Sequence, residues 1–380
     1  MRKGILVVLS LLLVAVCLIT SCSKAQASGA SDTVALSAKK ASELLGKNTE
    51  LAIPSEIDGK KVTSIGDGAF AYKETLASVT IPDTVTAIGQ FAFRDCYALT
   101  AIAFPSSVTS IGKGAFYGCV NLEDVKIPDS VTFIDEGAFA SCYALKEITV
   151  PVSVNSLGTA AFDTCYNLEC VAILGPLTTM EEALFNGCES LYDVTLPDTL
   201  KTIGAYAFFE CKGLEDISIP GSVQTIGAYA FSNCYNLSDI TIPRSVTTIG
   251  EGAFDCCLNL KEIAIPSSVK SIADGCFYGC EKLRSVTIPD SVAGIGGFAF
   301  DGCTSLTEMV IPSSVTSIGE SAFKFCTKLV SITIPGSVTS IGAEAFYGCE
   351  SLATVYYSGS RENWEKLGAK LPDMTKVVFI

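Results

Sequence analysis

Seven carboxylates fall into one register: Asp124, Glu147, Asp193, Asp216, Asp239, Glu262 and Glu308 follow one another at steps of 23 or 46 residues, and Cys170 and Ser285 fill the two gaps. Twelve of the 17 cysteines fall into a second register, from Cys96 to Cys349 in unbroken steps of 23. These are the side chains whose type and spacing could do chemistry. Paired carboxyls are the apparatus of glycoside hydrolysis, but that reaction needs two of them facing each other across a cleft. A register along a repeat lays them in a row instead. Oxygen-only sites suit calcium, and they need convergent ligands. Regular cysteines in an exported chain suggest disulfides. The chain has no histidine, so Ser-His-Asp and Cys-His pairs are excluded. It has no Cys-x-x-Cys either, which argues against zinc. Gly-x-Gly fragments such as Gly294-Ile295-Gly296 are turn glycines of the repeat, not a phosphate loop. No catalytic residue, metal or cofactor is expected.

The element that positions both registers is the repeat itself. A phenylalanine stands every 23 residues from Phe70 to Phe346, thirteen times without a slip. A fixed period of this length marks a solenoid, in which each unit buries its apolar face only against its neighbours. Within one unit, Leu122, Val125 and Ile127 give a strand with period two, and Pro128 stops it because proline brings no N–H to a ladder. Prolines recur at that slot from Pro82 to Pro335, with one skip at Leu174. A second apolar pair follows, as in Val246 and Ile249, and then a glycine: Gly89, Gly112, Gly204, Gly227, Gly250 or Gly319. Glycine there implies positive φ or a close approach. Asp135 in the same slot fits the left-handed region, whereas Glu181 and Ala273 predict local strain or a changed turn. No segment of the repeat zone carries ten residues of helical period. The expectation is a β-rich, helix-poor solenoid of about thirteen repeats of 23 residues, with N- and C-terminal caps.

Equivalent positions on successive coils point the same way. Side-by-side parallel Cβ vectors suit disulfide geometry poorly, so the cysteine register reads as a column of buried thiols. Cys276 occupies an alanine slot and should be buried, Cys256 lies in a turn, and Cys170 lies on a strand face as an accessible thiol.

Net charge is −14, and −16 once a leader with Arg2, Lys3 and no acid is removed. Such a balance disfavours nucleic acid and anionic lipid as partners. The apolar stretch Ile5 to Ile19 is shorter than the ~20 residues of a spanning helix and is followed by small residues, as in a secretory leader. It ends Ile19-Thr20-Ser21-Cys22. Residues 1–21 therefore read as a signal peptide, residues 22–36 as a polar tether, 37–66 as an N-terminal cap with a partial first repeat, 67–355 as the solenoid and 356–380 as a C-terminal cap. Trp364 belongs to that last cap, the alternative being an exposed platform for a ligand.

The ending at Cys22 resembles a bacterial lipobox, in which the cysteine is lipidated and becomes the first residue after cleavage; the alternative is an ordinary leader with a chance cysteine. The consensus Leu-x-x-Ile-x-Ile-Pro-x-Ser-Val-x-x-Ile-Gly-x-x-Ala-Phe-x-x-Cys is similar to the BspA-type bacterial leucine-rich repeat, over about residues 49–364. The entry Ile53-Pro54…Asp58-Gly59-Lys60…Val62-Thr63-x-Ile65-Gly66 and the closing segment to Trp364 resemble that family's ends. The resemblance implies a right-handed leucine-rich-repeat solenoid on a secreted or surface-anchored protein, and some members take part in adhesion to host matrix proteins or to other bacteria. One copy departs from the pattern. Around Ile173-Leu174-Gly175-Pro176 the proline is displaced by two and Met180-Glu181 replaces Ile-Gly, so a kink or bulge is expected there.

The carboxylate register must point outward, by the alternation of a strand. It reads as a solvated face that keeps a long sheet soluble, as a docking face for a protein, or as a row for cations. Tyr97, Tyr143, Tyr166 and Tyr235, each just after a cysteine of the register, form a second candidate surface for protein or sugar. The functional expectation is a lipid-anchored protein outside the cytoplasm, held to the membrane only by its anchor, that binds a macromolecule as an adhesin. Glycan capture and a structural spacer of the envelope are the alternatives.

Overall fold

The computed structural model describes residues 32–380, and Thr33–Ile380 forms one compact unit. Each repeat is one coil. In the coil that begins at Leu122, the strand Asp124–Lys126 turns Val125 inward and its two neighbours outward. A turn closes as Val131 N–H donates to Pro128 O at 3.0 Å, and a second short strand, Phe133–Ile134, follows. Both strands pair in parallel with their equivalents on neighbouring coils, Ala101 opposite Asp124 and Phe133 opposite Ser156. Because the pairing is in register, a period in sequence becomes a row in space.

Side chains tie each coil to the one before. The serine ahead of each turn valine donates to the valine carbonyl one coil back, as in Ser130 Oγ to Val108 O and Ser245 Oγ to Val223 O, both at 2.6 Å. The ladder phenylalanines are buried and stack face to face throughout. All fifteen cysteines among the described residues are free, and the twelve in register are buried.

The Ala-Phe corner carries a third hydrogen-bond ladder that runs toward the next coil: Phe91, Phe93 and Asp95 N–H donate to Lys113, Ala115 and Tyr117 O at 2.7–2.8 Å. It depends on an alternating backbone. The residues two before and two after every ladder phenylalanine have positive φ, for example Ala160 (54°) and Thr164 (55°). The glycines of the Ile-Gly slot do not. They are there for space: a Cβ on Gly250 would lie 2.5 Å from Ala228 N, and one on Gly112 2.9 Å from Ile88 O. Asp135, Glu181 and Ala273 likewise lie outside the positive-φ set. The left-handed explanation for Asp135 and the strain expected at the other two are therefore corrected to a question of contact with the preceding coil.

At the irregular copy the strand Cys170–Ile173 keeps register with both neighbours. Met180 is buried in the isoleucine slot. The second sheet ends at Ser156–Leu157 and restarts at Thr179–Met180, and it is interrupted again between Thr248–Ile249 and Ser271–Ile272.

At the N-terminal end, Thr33–Leu36, where the tether was expected to finish, is a strand that pairs with Lys60–Ile65. Helix α1 (Ala38–Leu45) follows, capped by Ser37 and burying Ala41 and Leu45. Glu56–Ile57 folds back antiparallel on Lys60 and Lys61. At the other end, helix α2 (Arg361–Leu367) and the strand Lys376–Phe379 close the stack. Trp364 is half-buried there with its ring 5.2 Å from buried Tyr357, so it packs as part of the cap.

Candidate functional site

The first strand of each coil sets the carboxylate row. Asp124, Glu147, Asp193, Asp216, Asp239, Glu262 and Glu308 each open such a strand with the side chain exposed and the next residue turned inward. Asp216 lies directly opposite Asp239, and Cys170 stands half-exposed between Glu147 and Asp193. Parallel strands are about 4.8 Å apart, so neighbouring charges repel along the row. None of the seven carboxylates takes part in a side-chain hydrogen bond or a salt bridge among the described residues; the lysines in ion pairs lie elsewhere. Beside the middle of the row runs an open groove of ≈ 320 Å³ lined by Glu215, Asn236, Ser238, Asn259, Lys261 and Lys282. Lys282 Nζ donates to Asn259 Oδ1 at 2.6 Å, and Asn259 in turn donates to Asn236 Oδ1.

Of the four tyrosines singled out, two come together. Tyr143 and Tyr166 have ring centroids 4.9 Å apart and remain well exposed. Tyr97 is exposed but two coils away from Tyr143, with Val120 on the coil between. Tyr235 is half-buried and separated from Tyr166 by the pair Lys212–Glu189, at 2.7 Å. Cys22 lies outside the described residues. Among those residues no group of histidine, cysteine, aspartate or glutamate could hold a metal ion, and no helix is long and apolar enough to cross a membrane.

The sequence reading missed the residues that follow the ladder phenylalanines. Arg94 sits over the rings of Tyr72, Phe91 and Tyr117 at 5.3–5.5 Å. Half-buried Asp163 accepts from Asn186 Nδ2 at 2.6 Å, and desolvation pushes its carboxyl up to about 6. Asp301 is buried with no side-chain bond and is likewise pushed up to about 6 by desolvation. The available signal was charge at a position that a purely apolar corner would fill with alanine, as Ala140 does.

Coils of two short parallel strands, stacked in register around a phenylalanine spine, define a leucine-rich-repeat solenoid. The chain belongs to the BspA-type leucine-rich-repeat family, whose model matches residues 63–192, 171–282 and 247–366. It is similar to a leucine-rich repeat protein from Bacteroides ovatus, with 34% identity, 87% of this chain and 92% of that chain covered, and a TM-score of 0.72. A leucine rich cell surface protein from Faecalibacterium prausnitzii is also 34% identical, over 85% of this chain and 91% of that one, with a TM-score of 0.55. A leucine-rich repeat protein from Eubacterium ventriosum, 24% identical over 79% of this chain and 90% of that chain, shares the fold with a TM-score of 0.53. No curated protein matches.

Proposed function

We propose that this chain is a cell-surface binding protein, held to the membrane by a lipid on Cys22, that docks a protein partner on its carboxylate row and acts as an adhesin. The observation that carries this reading is the row itself: seven exposed, in-register carboxylates without a partner of their own. A basic protein surface is the complement of such a row, and attraction of this kind sets encounter rate and orientation. The cell-surface description of the F. prausnitzii relative supports an extracellular setting. The test is the double variant Asp216→Asn, Asp239→Asn, assayed for binding beside wild type over a salt series. Affinity should fall and its salt dependence weaken, with the melting temperature nearly unchanged because exposed charges contribute little to the fold. Equal affinity and equal salt dependence would leave the row a solvated face.

A second reading rests on the exposed pair Tyr143 and Tyr166. Two adjacent rings with polar neighbours form a platform on which a sugar ring can lie. A glycan array in which Tyr166→Ala abolishes a signal that the Asp216 and Asp239 changes leave intact would favour it over the first.

A further inference from the structure

Three places on the Ala-Phe corner are ringed by aromatic side chains, and the protein's own cation fills two of them. Arg94 lies between the Tyr72, Phe91 and Tyr117 rings, with Nε 3.1 Å from Asp95 Oδ2. Lys324 lies 5.5 and 5.3 Å from the Phe325 and Tyr347 rings and bonds Glu344 at 2.6 Å. Both residues hold the same place in the coil, immediately after a ladder phenylalanine. At the third place that position holds Asp255 on one coil and Tyr278 on the next, and no lysine or arginine lines the site.

The third place is a cavity of ≈ 200 Å³ walled by Tyr229, Tyr278 and Phe298 and by Glu251, Asp255 and Asp274, with Gly252 and Gly275 at its mouth. Its construction follows from the ridge of residues two before each ladder phenylalanine. Tyr229 and Phe298 stand on that ridge three coils apart, and the two coils between them carry only the glycines. A Cβ on Gly252 would overlap the Tyr229 ring, so the ring lies across that glycine, while Gly275 has nothing nearer than Tyr278 Cβ at 4.0 Å. The slot therefore opens at Gly275. Tyr229 hydroxyl donates to Glu251 Oε1 at 2.5 Å and fixes the ring. Asp274 Oδ1 accepts from Gly297 N–H at 2.7 Å. Asp255 Oδ2 accepts from Ser232 Oγ at 3.3 Å and the Cys256 thiol stands beside the same half-buried carboxylate, so only part of its accepting capacity is used within the chain.

Carboxylates and ring faces attract the same kind of ligand, a cation. The volume is below that of sites for drug-sized molecules, so it suits one side chain. Glu251 and Asp255 lie on one coil, three residues before and one after its ladder phenylalanine, and Asp274 lies on the next, so the three carboxylates enter the slot from separate places. An ammonium group, with three freely rotating donors, meets that arrangement better than a guanidinium fork, which wants one bidentate partner. We propose that this slot binds a primary alkylammonium group, the lysine side chain of a partner protein, in the place that Arg94 and Lys324 fill from within at the other two. The site is on a different part of the coil from the carboxylate row and does not depend on what that row binds.

The test titrates N-acetyl-lysine methylamide, N-acetyl-norleucine methylamide and cadaverine into the full chain by calorimetry or NMR. The lysine probe should bind saturably and the uncharged norleucine probe should not. Asp255→Asn and, separately, Tyr229→Leu should each weaken the lysine probe by about tenfold, with folding checked by melting curves. The double change at Asp216 and Asp239 should leave it unaltered. Equal binding of lysine and norleucine probes, or lysine binding that survives both Asp255→Asn and Tyr229→Leu, would overturn the proposal. Cadaverine binding more tightly than the lysine probe would overturn the assignment to a protein partner.

Discussion

In every coil from Cys96 to Cys349 the register cysteine donates its S–H to the carbonyl of the phenylalanine one coil back, at 3.0–3.3 Å. A small apolar residue with one weak donor is what that site asks for: alanine would leave the donor out, and leucine would not fit. Burial pushes these thiols up, Cys96 to about 12, so the nucleophilic thiolate is suppressed as well as hidden. A bulky thiol reagent on the native protein should therefore modify Cys170 first, as the half-exposed thiol of the strand face. Cys256, also half-exposed but pushed up to about 12 by burial and by Asp255, should follow more slowly. Mass spectrometry of a time course gives the order, and early loss of register thiols would contradict it. Asp301 poses the opposite problem, a carboxyl that burial holds protonated to about 6 in the folded chain, against about 4 when unfolded. Between those values the folded state binds more protons, so this group's contribution to stability falls as pH rises through the window. Asp301→Asn removes the group. The variant should melt above wild type at pH 7, and the gap should close toward pH 4; a gap that does not change with pH would exclude the titration as its cause.

The phenylalanine spine is the element whose loss should be felt most. Successive rings from Phe70 to Phe346 stack at 5.1–5.9 Å. Phe208 has a stacked neighbour on each side and Phe346 on one. Phe208→Ala should cost about 3–5 kcal/mol, and Phe346→Ala should cost less by roughly the 0.5–1.5 kcal/mol of one aromatic pair. Denaturant melts of the two variants test the difference, and equal losses would show that burial alone, without stacking, sets the energy. This spine was legible before any coordinates, as were the strands and the buried thiols, because in-register parallel pairing copies a sequence period directly into space. The alternating corner was not. Of the twenty-six positive-φ positions beside the ladder phenylalanines, ten are glycine, and the rest include tyrosine, serine and glutamate. No residue type marks them, since the hydrogen bonds of neighbouring coils impose the conformation. The consistent glycine, after the isoleucine, left positive φ and close approach both open, and its reason is proximity to the preceding coil. The carboxylate row followed from strand alternation, whereas the aromatic slot depends on one ring lying across a glycine of the next coil, a contact without a periodic signature.

At the scale of the whole chain, a net charge of −14 without a histidine keeps the surface acidic across the physiological range. The proposed membrane anchor is Cys22. Cys22→Ala should shift the protein from the detergent phase to the aqueous phase or leave it unprocessed in cell fractionation, and a variant that partitions as wild type would argue for an ordinary leader. From Phe70 onward the bonds that join one coil to the next span 20 to 26 residues, never two coils at once, and only at the N-terminal end do they reach 27 to 30. A misaligned exchange between two copies in the coding segment therefore adds or removes a whole number of coils, and each survivor meets a neighbour of the same kind. Length becomes a heritable variable independent of foldability, adjustable in steps of about 5 Å, while the two ends stay fixed. Lineages can lengthen or shorten the solenoid without designing a new joint.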